Sequence, residues 1–213
     1  MRKKRLIAGL LFILLFIAFT YLVKTIDVNK VGEQGVLVGF SYFNRIFSSI
    51  FRYNDFFYKI SNFFGYSAFI ICAIYGTIGL IQLIKRKNVK KVDQEILLLG
   101  VLYVTTLVIY LLFDLAIIIN NRPVLIDGIS EPSYPSSHTF MALTICGSAI
   151  IINNKKYNNA IAKLFNNFCA LFMILIVSTR VLSGAHWLTD IVGSIILSFG
   201  LLLIYSGLIT KKE

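Results

Sequence analysis

The sequence predicts an all-α integral membrane protein, a bundle of six transmembrane helices, on three observations. Apolar residues make up 57% of the 213-residue chain and charged residues only 15%, and the mean hydropathy is +0.79, too apolar for a soluble domain of this size. The apolar residues gather into runs of the length a bilayer core requires. The basic residues behind the net charge of +11 sit in short clusters between those runs, as membrane topology demands. That placement argues for a bilayer partner and against nucleic acid. Cys72, Cys146 and Cys169 fall inside apolar runs, and an odd number so placed argues against a disulfide framework.

The first run, Leu6 to Val23, follows Arg2-Lys3-Lys4-Arg5. A basic start and an apolar core could also be a secretory signal, but the run is long enough to span and Phe19-Thr20-Tyr21 is no small-residue cleavage site. A retained first helix is expected. Between Phe40 and Ile60, the residues Ile46, Phe47, Ile50, Phe51 and Phe57 recur at helical spacing, while Arg45, Arg52 and Lys59 stand seven apart on the opposite face. This predicts an amphipathic helix between spans one and two, lying at the membrane surface or across the bundle. The second span runs from about Phe63 to Ile84 and stops at Lys85-Arg86-Lys87. The third runs from about Ile96 to Ile119, the fourth from His138 to about Ile152, the fifth from about Leu164 to Leu182, and the sixth from Trp187 to about Ile209. No repeat or composition shift divides the chain, so residues 1–213 are expected to form one domain.

Lysine and arginine set the orientation. The amino terminus, the loop after span two, the loop with Lys155, Lys156 and Lys163, and the end with Lys211 and Lys212 hold most of them, which makes that side cytoplasmic. The segments 120–137 and 183–186 then face outside. Asp114 falls within the third span, where a charge is usually paired or functional, and structural pairing with a nearby cation or hydroxyl is expected. Asp127 and Glu131 in the outer loop are expected to be solvated, and Tyr134 to pack at the interface.

The only two histidines, His138 and His186, both belong to that outer face. His138 follows Pro135-Ser136-Ser137 at the start of a span. His186 has Arg180 six residues before it and Asp190 four residues after it, one helical turn away. A carboxylate so spaced can hold one imidazole nitrogen and leave the other as a nucleophile. Arg122, in Asn120-Asn121-Arg122-Pro123, and Arg180 offer planar donor forks that match phosphate oxygens. Ser136 and Ser137 lead into a helix whose first amides and dipole favour an anion. The chemistry expected is in-line displacement at phosphorus, with His186 attacking, Asp190 orienting it, His138 protonating the departing oxygen, and Arg122 and Arg180 stabilising the equatorial oxygens. The arginines supply the positive charge, so no metal or cofactor is expected.

This constellation resembles the type 2 phosphatidic-acid phosphatase superfamily, which also includes the vanadium haloperoxidases. The family pattern is a lysine some way before Arg-Pro, then Pro-Ser-Gly-His, then Ser-Arg with a downstream His and Asp. Here it reads Arg122-Pro123, Pro135-Ser136-Ser137-His138, and Thr179-Arg180 with His186 and Asp190; Gly184 and Trp187 also match. The resemblance covers roughly the second half of the chain and implies a membrane-embedded, metal-independent lipid phosphatase. Undecaprenyl pyrophosphate, phosphatidylglycerol phosphate and phosphatidic acid are the candidate substrates. The family lysine is replaced by Leu115, and Ser137 and Thr179 replace a glycine and a serine. A cation of the Arg45, Arg52 and Lys59 stripe could supply the lost charge.

Simpler roles compete at several positions. Asp190 could cap the sixth helix, which is compatible with orienting His186. Arg180 could snorkel to the interface, and Ser136 could be only a helix cap. A lipid phosphotransferase using the same phosphohistidine, or an inactive lipid-binding protein, are the alternative functions.

Overall fold

The computed structural model describes residues 1–32, 35–126 and 128–210. Asp127, Lys211 and Lys212, assigned above to the outer loop and the basic end, lie outside them. Among the described residues, seven α-helices follow one another: α1 (Arg2–Thr25), α2 (Ser41–Ile50), α3 (Asp55–Arg86), α4 (Gln94–Leu115), α5 (Ser137–Lys156), α6 (Ala160–Leu182) and α7 (Leu188–Ile209). A small antiparallel hairpin, β1 (Asn29–Val31) and β2 (Val36–Val38), stands between α1 and α2. The all-α expectation did not include it, because three-residue strands carry too little alternation to read.

Among the described residues, five helices are long and apolar enough to cross a membrane: α1, α3, α4, α6 and α7. The predicted fourth span, α5, is absent from that set. It packs against α3, α4, α6 and α7, and its buried face carries Thr144, Ser148 and Asn153. These side chains find partners inside the protein. Thr144 Oγ1 donates to Ser198 Oγ at 3.4 Å, Ser148 Oγ to Tyr103 Oη at 3.3 Å, and Asn153 Oδ1 accepts from Tyr75 Oη at 2.8 Å. A central helix surrounded by protein need not be apolar enough for lipid, provided its polar atoms are paired.

The amphipathic helix is shorter than the spacing predicts. Helix α2 stops at Ile50, the chain turns through 51–54, and α3 begins at Asp55 with Asn54 capping it, Oδ1 accepting from Phe57 N at 3.2 Å. The cationic stripe is therefore broken. Arg45 lies on α2, Arg52 on the turn, and Lys59 on α3, where it pairs with Asp55 at 2.7 Å. On α2 the buried face is Ser41, Asn44 and Phe47, while Tyr42, Phe43, Ile46 and Ile50 are exposed. Helix α4 also ends earlier than expected, at Leu115, so Asp114 stands at its C-terminal tip rather than two turns down. Tyr134 is 2% exposed and no interface residue: it stacks on Phe16, meets Phe113 edge-on, and shares a 2.7 Å hydrogen bond with Thr20 Oγ1.

The long helices alternate in direction, which sorts the turns onto two ends. One end gathers Arg5 with Ser206 and Thr210, Arg86 and Lys156 with Asp93, and Lys155 with Glu95. The other gathers the starts of α3, α5 and α7, the ends of α4 and α6, and the loop 116–136.

Candidate active site

The loop between α6 and α7 is the site's anchor. Gly184, at φ +62, takes a left-handed turn that places His186 just before α7. A Cβ there would fall 2.5 Å from the backbone of Phe51 and Arg52, so the turn after α2 lies directly on this loop, and Asn54 N donates to Ser183 O at 3.0 Å. Trp187, fully buried, donates from Nε1 to Asn121 O at 2.7 Å and ties the loop 116–136 to the same place.

Asp190 is fully buried in the first turn of α7. Its Oδ2 accepts from Trp187 N at 3.0 Å and faces His186 Nδ1 at 3.4 Å, and its Oδ1 accepts from Asn120 Nδ2 at 3.2 Å. It caps the helix and stands against the imidazole at the same time. His186 is 2% exposed, and its Nε2 is buried without a hydrogen-bond partner among the described residues. Burial, followed by the charges of Arg180 and Arg122, holds this imidazole well below the usual histidine range. The ring is neutral, and its unengaged nitrogen is the one turned from Asp190.

Arg180, in the last turn of α6, is fully buried and does not snorkel. Its Nη1 donates to Ser61 Oγ at 2.7 Å and Asn62 Oδ1 at 2.9 Å, and its Nη2 donates to His138 Nδ1 at 2.8 Å. A guanidinium only donates, so Nδ1 of His138 accepts and the ring proton belongs on Nε2. The His138 ring lies over Gly65 of α3, where a Cβ would come within 2.0 Å of Cδ2, and it meets Tyr66 edge-on at 5.5 Å. Arg122 is buried and pairs with Glu131 at 3.0 Å, so Glu131 is not merely solvated. The guanidiniums of Arg122 and Arg180 both lie over the Tyr58 ring, 5.8 and 5.5 Å from its centre. Among the described residues, the Nε of each is also buried without a partner. Orphaned donors on two adjacent guanidiniums suit an anion, because unpaired buried donors are costly.

Ser136 and Ser137 divide in role. Ser136 is fully buried, and its hydroxyl donates to Thr139 Oγ1 at 3.1 Å, while its amide donates to Asp190 O at 3.1 Å. It joins the start of α5 to that of α7. Ser137 is half-buried and lines a small cavity with His186, Ser133 and Asp114. Leu115, at the resembled family's lysine position, is 73% exposed. Arg45 and Arg52 are exposed.

Residues far apart in the chain, 122, 136–138, 180, 186 and 190, are thus brought to one end of the bundle. Residues 97–213 match the family model described as the PAP2 superfamily. The chain belongs to the PAP2 superfamily. A comparison with curated proteins finds no match. Among solved structures, the chain is similar in fold to the crystal structure described as the first transmembrane PAP2 type phosphatidylglycerolphosphate phosphatase from Bacillus subtilis. The TM-score is 0.61 at 18% identity, over 92% of each chain. With five apolar helices and this fold, the protein is a multi-pass membrane PAP2 protein.

The sequence reading missed the α3 contribution. Tyr58, Ser61, Asn62 and Gly65 follow the i, i+3, i+4, i+7 pattern of one helical face. That small polar stripe at the head of an apolar span was a readable signal, obscured by assigning residues 40–60 to a separate helix. Among the described residues, no three His, Cys, Asp or Glu side chains converge as a metal site.

Proposed function

We propose that this PAP2 protein is a membrane lipid phosphatase that hydrolyses a lipid phosphate or pyrophosphate through a phosphohistidine at the outer membrane face. The observation that carries the reading is the buried, unpartnered Nε2 of His186 beside two guanidiniums with unpartnered Nε donors. A nucleophilic nitrogen and a cationic cradle left unsatisfied together match a tetrahedral anion. The superfamily and a fold neighbour titled as a phosphatidylglycerolphosphate phosphatase point the same way.

In the first step, the lone pair of His186 Nε2 forms a bond to phosphorus as the bond to the departing oxygen breaks. The positive charge that develops on the ring is opposed by Asp190 through Nδ1–H. Arg122 and Arg180 stabilise the equatorial oxygens. His138 needs a proton on both nitrogens to give one up, and Arg180 now occupies its Nδ1. Phosphate binding draws Arg180 toward the anion and brings negative charge to His138, which allows the ring to take a proton before donating it from Nε2. The neutral His138 then accepts a proton from the water that attacks the phosphohistidine. Two guanidiniums supply the charge a metal would otherwise bring, so activity is expected to persist with a chelator.

The outer location follows from charge. The lysine-rich turns belong to the end of the bundle away from the histidines, and positive turns stay in the cytoplasm. Both termini are then cytoplasmic, and α5 is the sixth span, shielded by its neighbours.

Purified protein in detergent with EDTA should release phosphate from at least one of phosphatidic acid, phosphatidylglycerol phosphate and undecaprenyl pyrophosphate. His186→Ala should reduce the rate at least about 10⁴-fold. Rapid quenching should trap an acid-labile phosphoryl group on the wild type and none on His186→Ala. Release by His186→Ala at the wild-type rate would reject the mechanism.

A further inference from the structure

Away from the histidines, at the opposite end of the bundle, a cavity of about 340 Å³ opens between α3 and α4. Its walls are apolar, with Leu80, Leu83, Ile96 and Leu99 among them. Tyr75 and Tyr103 line its inner end, and both hydroxyls are engaged by α5. Tyr75 Oη donates to Asn153 Oδ1 at 2.8 Å, and Tyr103 Oη accepts from Ser148 Oγ at 3.3 Å. From Leu83 to Tyr75 on α3, and from Ile96 to Tyr103 on α4, the groove is about 10–12 Å long at the helical rise. That is less than half of a hydrocarbon core about 30 Å thick, so the groove stays within one leaflet. Its outer end is the link between the two helices. Val89 and Val92 line the cavity, and Lys90 and Lys91 stand between them in the chain. The link is braced: Asn88 Oδ1 accepts from Lys90 N at 2.9 Å, and Arg86 donates to Lys91 O and, at 2.7 Å, to Asp93 Oδ1. Asp93 and Glu95 are taken by Arg86, Lys156 and Lys155. Lys85, Lys87, Lys90 and Lys91 are exposed and form no ion pair among the described residues.

We propose that this groove binds an acyl chain of an anionic phospholipid whose phosphodiester headgroup rests on the lysines of the 85–91 link. The parts stand in the order such a molecule needs: an apolar slot one leaflet deep, then unpaired cations at its mouth. Basic pockets between spans at a membrane face hold anionic headgroups, and each lysine near the surface adds to the attraction. The carboxylates nearest in the chain, Asp93 and Glu95, already have cations of their own and do not cancel the four lysines. A cavity of this volume also falls in the range of roughly 300–1,000 Å³ typical of ligand pockets. A lipid seated there bridges α3 and α4 and stabilises the bundle without taking part in chemistry at the other end. The site is therefore separate from the guanidinium cradle and does not rest on the phosphatase reading.

The test reads binding, not turnover. Native mass spectrometry of the full chain in uncharged detergent follows titration with phosphatidylglycerol or phosphatidylcholine of the same acyl chains. The wild type should bind one phosphatidylglycerol at least about tenfold more tightly than phosphatidylcholine. Replacing Lys87, Lys90 and Lys91 together by glutamine should bring the two lipids to the same affinity. Gly76→Leu and Gly100→Leu fill the groove from its two helices, since a Cβ at either position meets nothing within 4 Å, and each should weaken phosphatidylglycerol about tenfold. Two controls should bind as the wild type does: Lys3→Gln with Lys4→Gln on α1, at the same end, and Arg122→Gln in the cradle. Equal affinity of the wild type for the two lipids would overturn the site. An equal loss in the α1 control would mean diffuse attraction to charge, and an equal loss in Arg122→Gln would put the lipid at the guanidiniums; either overturns it. Unchanged binding in both leucine variants would also overturn it. So would a dimer of the wild type that carries no lipid and is lost in those variants, because the groove would then hold a second copy of the chain.

Discussion

In the proposed mechanism, His186 is the residue whose electrostatic setting most directly governs the chemistry. Its imidazole is kept neutral first by burial and then by Arg180 and Arg122, and only the neutral ring is nucleophilic. The sign of the pH effect follows. With its folded value well below 6.5, the nucleophile persists as pH falls through the range where an ordinary histidine would protonate. Removing one neighbouring cation raises that value, so protonation begins at higher pH. Arg122→Gln should therefore move the acid limb of the kcat/KM profile upward, besides lowering the rate through lost phosphate contacts. Profiles of wild type and variant on one substrate measure the shift, and coincident acid limbs would show that the Arg122 charge does not reach the imidazole. The sequence made this setting partly legible, because His186 and Asp190 stand one helical turn apart and Arg180 belongs to the same short segment. It did not disclose the Arg180 bond to His138 Nδ1, which exists only because α5 and α6 pack together with α3 behind them.

At the scale of elements, α3 is the part whose role the sequence concealed. Apolar periodicity is strong on α2 and weak where the head of α3 turns polar, so residues 40–60 read as one amphipathic helix. The break at 51–54 is set by tertiary contact: the backbone of Phe51 and Arg52 lies on Gly184, and Asn54 both donates to Ser183 O and caps α3. Ending α2 early lets α3 begin two turns above its apolar stretch, which brings Tyr58, Ser61 and Asn62 to the guanidiniums and Gly65 beneath His138. A methyl group at Gly65 would meet Cδ2, Cγ and Cβ of His138 at 2.0, 2.9 and 3.2 Å, so the whole imidazole has to swing or the helices must part. Gly65→Ala should cost about 1–3 kcal/mol in stability and lower kcat more than about tenfold, because the proposed proton donor is displaced. Thermal melting and phosphate release on the same preparation separate the two effects. A variant that melts lower yet turns over normally would mean that His138 keeps its place or is not needed there.

The molecule as a whole separates its charges between two ends, and this is why the arrangement could be read from sequence at all. Alternating spans with basic turns every second crossing put His138, Arg180, His186 and Asp190 on the same side before any contact was known. Depth and pairing were not readable: Asp114 stands at a helix tip because α4 stops at Leu115, Glu131 pairs with Arg122 of its own loop, and Tyr134 enters the core through Thr20, distant in the chain. The opposite end is held by charge. Asp93 accepts from Lys156, from Arg86 Nη1 at 2.7 Å and from Gln82 Nε2 at 3.1 Å, linking α3, the start of α4 and the end of α5. The Lys156 bond, then the Arg86 bond, hold the Asp93 carboxyl down to about 2, against an ordinary value of 3.8. A depressed carboxylate adds stability that is present above its unfolded value and lost as pH falls through its folded value. The window is therefore from about pH 4 down to about pH 2. Asp93→Asn should melt lower than the wild type at pH 5, by no more than a few degrees because the cluster is partly exposed, and the difference should close as pH approaches 2. Melting curves of the detergent-solubilised pair across that range test the linkage. A gap that stayed constant with pH would assign the effect to packing at the helix ends instead of to the ionised carboxylate.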